Sequence, residues 1–77
     1  SNPIDVIYNL MWLEEEFPYY EINFDTASYE RTEYNVIVQN AINEWEEMRD
    51  KRENYEISDE EYLDWKLNFE IINMVNQ

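Results

Sequence analysis

The sequence predicts an all-α fold, a small three-helix bundle with an extended connector between the first and second helices. Three observations carry this prediction. Apolar residues recur at helical spacing in three separate stretches. Each stretch is preceded by residues of the kind that cap helix N-termini. Only one short stretch alternates polar and apolar, so no second strand exists for it to pair with.

The first helix is expected from about residue 3 to 16. Asn2-Pro3 supplies a capping residue and then the one helical position that favours proline. Asp5 follows in the first turn, where a carboxylate complements the helix dipole. Val6, Leu10, Leu13 and Phe17 define an apolar stripe, widened on one side by Ile4, Ile7 and Met11. Pro18 ends the pattern. Over residues 19–25 the period changes to two, and Tyr20-Glu21-Ile22-Asn23-Phe24-Asp25 reads as extended chain pinned by Ile22 and Phe24.

The second helix is expected over about 28–53, with Asp25, Thr26 and Ser28 as candidate caps. Tyr34, Val38, Ala41, Trp45 and Met48 form a heptad-like seam flanked by Ile37 and Ile42. Arg49, Lys51 and Arg52 fall at its C-terminal end, where the dipole favours cations. Glu47–Lys51 and Arg49–Glu53 have i,i+4 spacing. After a turn at 54–57, Ser58-Asp59-Glu60-Glu61 fits a capping box, and the third helix should run over about 59–75. It carries two apolar stripes: Tyr62, Trp65, Phe69 and Ile72, and Leu63, Leu67, Ile71 and Met74. Residues 1–77 read as one acidic helical domain.

Composition then limits the chemistry. The 77 residues include nineteen Asp and Glu against five Lys and Arg, a net charge of −14, with no His, Cys or Gly. Such charge alone would favour disorder, but 44% of the chain is hydrophobic and 17% aromatic, enough to build a core. Without His or Cys there is neither an imidazole base for Ser28 or Ser58 nor a thiolate nucleophile. Without Gly there is no phosphate-cradling loop. Neighbouring carboxylates such as Glu14, Glu15 and Glu16 point about 100° apart on a helix and do not converge on one metal ion. No catalytic residue, cofactor or metal is therefore expected. Direct nucleic-acid binding and attachment to anionic membranes are opposed by the sign of the charge. With no membrane-spanning run and no basic signal-peptide region, a cytoplasmic protein is expected.

The same sign suggests a partner. Helical carboxylates at i and i+3 or i+4 have Cβ atoms about 5–6 Å apart, comparable to successive phosphates along a strand. Glu46, Asp50 and Glu53 form one such row, and Glu56, Glu60 and Asp64 a second, with Tyr55 as a nearby aromatic anchor. Glu14–Glu16, Glu21 and Asp25 extend the field, and Tyr19, Tyr20 and Tyr29 add further aromatics. These residues are expected to meet a basic nucleic-acid-binding protein. In size, charge and aromatic richness the chain resembles the small acidic inhibitors of phages and mobile elements, such as anti-restriction and anti-CRISPR proteins. That resemblance implies a non-catalytic DNA or RNA mimic. The second reading is a structural or regulatory helical protein that forms a homodimer or docks a helix through Leu63, Leu67, Ile71 and Met74.

Overall fold

The computed structural model describes residues 2–17, 22–24 and 30–75, the side chains of Met74 and Val75 excepted. Among these residues the chain is all-α: α1 (Pro3–Met11), α2 (Leu13–Glu16), α3 (Glu33–Glu53), α4 (Asp59–Leu67) and α5 (Phe69–Val75), with no strand. α1 packs against α3 and α5, and α4 lies against α3 and α5.

Two of the three expected helices are interrupted. At Trp12 the chain tightens: Trp12 N–H donates to the Asn9 carbonyl and Glu15 N–H to the Trp12 carbonyl, both i→i−3 bonds. At Asn68 the backbone N–H is shared between the Asp64 and Trp65 carbonyls, while the side-chain amide donates to the same Asp64 carbonyl at 2.8 Å. An Asn that competes for its own i−4 carbonyl loosens a helix, so α4 ends and α5 begins there.

The ends of the helices follow capping chemistry. Asn2 Oδ1 accepts the Ile4 N–H at 2.9 Å, with Pro3 as the first helical residue. Ser58 and Glu61 form both bonds of the capping box, each 3.0 Å. α3 begins later than the expected residue 28. Thr32 caps it, its Oγ1 accepting the Asn35 N–H at 3.1 Å, and the Asn35 side chain holds the incoming chain at the Glu30 carbonyl. The earlier candidates Asp25, Thr26 and Ser28 lie outside the described residues. Of the stretch read as extended, Ile22, Asn23 and Phe24 are described and belong to no strand. Ile22 and Phe24 nevertheless pack on the core, Phe24 meeting Trp45 edge-on at 5.7 Å.

The core consists of Ile4, Ile7 and Met11 from α1, Ala41, Ile42 and Trp45 from α3, Tyr62 from α4 and Phe69 from α5. This corrects the expected face of the first helix. Val6 and Phe17 are 48% and 59% exposed, whereas Ile4, Ile7 and Met11 are nearly inaccessible. Apolar residues encircle this helix almost completely, so their spacing does not select a side. Its polar positions do: Asp5 and Asn9 lie roughly opposite the 4–7–11 face. The seam of α3 is buried in its middle, but Tyr34 at its start is 67% exposed. In the C-terminal region the two stripes separate cleanly. Tyr62 and Phe69 face the core with Trp65 packed beside them, while Leu63, Leu67 and Ile71 face outward.

Candidate functional site

Arg49 and Lys66 occupy core register, one turn from Trp45 and Tyr62 respectively, and neither side chain reaches solvent appreciably. Burying two cations is costly unless they are paired and hydrogen-bonded, and α2 supplies the partners. Lys66 Nζ donates to Glu15 Oε1 at 2.7 Å, to Glu14 Oε2 at 3.2 Å and to the Met11 carbonyl at 3.3 Å. The Arg49 guanidinium lies 3.7 Å from Glu14 Oε1 and donates to the Ile22 carbonyl at 2.8 Å.

Aromatic groups complete the cluster. Trp45 Nε1–H donates to Tyr62 Oη at 2.9 Å, and Tyr62 O–H donates to Glu14 Oε2 at 2.8 Å. Burial and the adjacent Glu14 carboxylate push the Tyr62 phenol well above its ordinary range, which keeps it protonated as a donor. The Lys66 ammonium also lies 5.1 Å from the Trp12 ring centre and 5.0 Å from that of Tyr62, and Arg52 covers the Tyr62 ring at 4.3 Å. Glu14, expected to extend the surface field, is instead largely buried in this cluster, and Glu15, still half exposed, reaches in to Lys66. Arg49, expected to serve the helix dipole, turns inward. A cation in register with core aromatics, facing a run of three Glu, was the available sequence signal.

This arrangement sets the character of the exterior. Among the described residues two carboxylates and two cations cancel in the cluster (−2 + 2 = 0), so the chain outside these four residues carries the whole −14. Lys51 is held beside Glu47 at 3.6 Å, a partly exposed pair of small energetic weight. Asp50, Glu53, Glu56, Glu60 and Asp64 are exposed and Glu46 is half-buried. Among the described residues none of these six carboxylates forms an ion pair.

Their grouping differs in one respect from the expected rows. Glu46, Asp50 and Glu53 share one side of α3, as their spacing requires. Glu60 and Asp64 are successive positions on one side of α4. Glu56 precedes α4 and lies in the turn, so the second row is a helical pair with a separate loop residue.

That turn places Tyr55. α3 closes in a Schellman arrangement, with Glu56 N–H donating to the Lys51 carbonyl at 2.8 Å and Tyr55 N–H to the Arg52 carbonyl at 3.1 Å. The motif requires a left-handed residue at the position after the cap, where Gly is usual. Tyr55 occupies it with φ 61°, and its side chain is 94% exposed between Glu53 and Glu56. A bulky side chain in that conformation costs about 1–2 kcal/mol, and the exposed ring recovers little of this by packing.

The outward stripe of α4 and α5 is the other surface feature. Leu63, Leu67 and Ile71 are 39%, 55% and 63% exposed at successive i,i+4 positions. Glu60 and Asp64 border the first two, being three residues from Leu63 and Leu67 respectively. The Met74 side chain lies outside those described. Among the described residues no helix is long and apolar enough to cross a membrane, and no three acidic side chains gather as metal ligands. Compared with family models, curated proteins and solved structures, the chain matches none.

Proposed function

We propose that this protein is a non-catalytic acidic inhibitor, a nucleic-acid mimic that occupies the basic groove of a DNA- or RNA-binding protein. One observation carries the reading: the buried cations pair with Glu14 and Glu15, while six carboxylates on α3, on α4 and in the turn that holds Tyr55 are left without ion partners among the described residues. A charge of −14 on so small a chain exceeds the magnitude of about 2–8 sufficient for solubility and adds self-repulsion. Glu46, Asp50, Glu53, Glu56, Glu60 and Asp64 would stand in for phosphates, and Tyr55 would anchor the contact.

The immobilised protein should retain a nucleic-acid-binding protein at about 50 mM salt and release it near 500 mM, where the screening length falls to about 4 Å. Neutralising Glu46, Asp50 and Glu53 together should weaken that retention by tenfold or more without altering the helical spectrum. Retention that is indifferent to both salt and these substitutions would contradict the proposal.

The second reading, self-association or helix docking through the C-terminal stripe, is supported by the exposure of Leu63, Leu67 and Ile71. Sedimentation at micromolar concentration in high salt tests it. A dimer that Leu67→Gln dissolves would favour it, and a monomer would remove self-association.

A further inference from the structure

A duplex presents mainly phosphates to a groove, whereas a single strand presents phosphates and an apolar row of unstacked bases together. The α4 face has the second composition. Glu60 and Asp64 form one i,i+4 row, Leu63 and Leu67 the row beside it, and Ile71 continues the apolar row into α5. Four helical residues advance about 6 Å, so each carboxylate step is matched by an apolar step of the same length. Asn68, between Asp64 and Ile71, turns its amide back onto the Asp64 carbonyl rather than outward.

The charges decide what covers this face. A second copy docked symmetrically on it would bring its own Glu60 and Asp64 into the same interface. Both molecules would also carry −14. Like charges so placed oppose association. A partner with cationic walls and an apolar or aromatic floor satisfies both rows at once. Channels that hold single-stranded nucleic acid have that construction, with basic side chains following the backbone and aromatic rings stacking the bases.

Building on the mimic reading, we infer that the α4–α5 face docks in a single-strand-binding channel, with Leu63, Leu67 and Ile71 against its apolar floor and Glu60 and Asp64 against its basic walls. The partner is thus a protein whose groove takes unstacked single strands rather than one that clasps a duplex.

Defined peptides test the face directly. The probes are an amphipathic Leu/Lys helix roughly five turns long, an oligolysine of equal charge, and a Leu/Glu helix of equal apolar area. Amide chemical shifts and titrations at low and high salt report the site and the affinity. The Leu/Lys helix should bind about tenfold more tightly than oligolysine, with shifts centred on Leu63, Leu67 and Ile71. Leu67→Gln with Ile71→Gln should remove that advantage. Both side chains are more than half exposed, so the fold should survive; circular dichroism checks this, and the single Leu67→Gln variant serves if the double variant is unstable.

Equal binding of oligolysine, or unchanged binding by the variants, would overturn the inference while leaving the mimic reading intact. Binding of the Leu/Glu helix as tight as that of Leu/Lys, or dissolution of a micromolar dimer by the variants, would assign the stripe to another copy and also overturn it. For a nucleic-acid-binding protein retained on the immobilised chain, a single-stranded oligonucleotide should displace it at lower concentration than a duplex of equal length. Displacement by duplex alone defeats the inference, and displacement by neither defeats the mimic reading itself.

Discussion

Tyr55 sets a local conflict between stability and exposure. Its backbone adopts φ 61° in a chain that contains no Gly, and its ring is almost wholly in solvent. Strain of this kind persists where surrounding bonds enforce it, and it is enriched at functional positions. Here the two Schellman bonds enforce it. Tyr55→Gly should stabilise the fold by up to about 1 kcal/mol, the relief of strain exceeding the added entropy of the unfolded chain. The same change should weaken partner binding. Urea unfolding measures the first effect, and a loss of stability would show that the ring makes contacts that its exposure conceals.

Tyr62 makes the opposite use of an aromatic residue. Tyr62→Phe leaves the Trp45 indole N–H without its acceptor and Glu14 with one donor fewer, costing about 1–3 kcal/mol. The folded phenol titrates above its unfolded value, so its contribution is complete below about pH 10 and is lost as pH rises beyond that. Alkaline unfolding should therefore lose part of its steepness in the Phe variant.

Among the elements, α2 is secured chiefly by polar contacts. It has four residues, none fully buried, and its ties are those of Glu14 and Glu15 to Lys66, Arg49 and Tyr62. Lys66→Met should destabilise the protein by about 3–5 kcal/mol, because Glu14 would keep its buried charge with one cation fewer. Adding Glu14→Gln should deepen the loss, because the buried Arg49 guanidinium would then lose the Glu14 carboxylate, and chemical denaturation of the single and double variants checks this. At the contact of α1 and α5, a hydrogen bond donated by the protonated Glu70 carboxyl to the Asp5 carboxylate, together with the proximity of that charge, raises Glu70 above its ordinary range. A raised carboxyl favours the folded state when protonated and loses that contribution as pH rises. Acidification from neutrality should thus change the melting temperature more favourably in the native chain than in Glu70→Gln.

The elements differ in how readily their sequences reveal them. Ser58-Asp59-Glu60-Glu61 and Asn2-Pro3 were legible because a cap is a local interaction among a few neighbouring residues. The break at Asn68 was not, because it depends on an amide choosing a backbone carbonyl. Apolar spacing does not reveal the buried face of α1, because Val6, Leu10 and Leu13 are as regularly spaced as Ile4, Ile7 and Met11. The polar positions opposite, Asp5 and Asn9, and packing against α3 and α5 distinguish them. The carboxylates of α3 and α4 could be placed from periodicity, but Glu56 in the turn could not, and the inward paths of Arg49 and Lys66 are long-range consequences of where α2 docks.

Over the whole molecule, the interior cluster separates charge by location. Among the described residues its two cations and two carboxylates sum to zero, so the chain outside these four residues keeps the full −14. The excess charge is therefore compatible with a cohesive core and remains available to a partner. Electrostatic steering by such a surface raises association rates and weakens steeply as salt is added.

The most direct test of this account is the association rate of the protein with a retained nucleic-acid-binding partner, followed as salt rises from about 50 to about 500 mM. Nucleic-acid mimicry requires a fall of at least about tenfold in that rate, a shallower fall for the protein neutralised at Glu46, Asp50 and Glu53, and competition by nucleic acid throughout. A rate independent of salt, with no competition from nucleic acid, would contradict it.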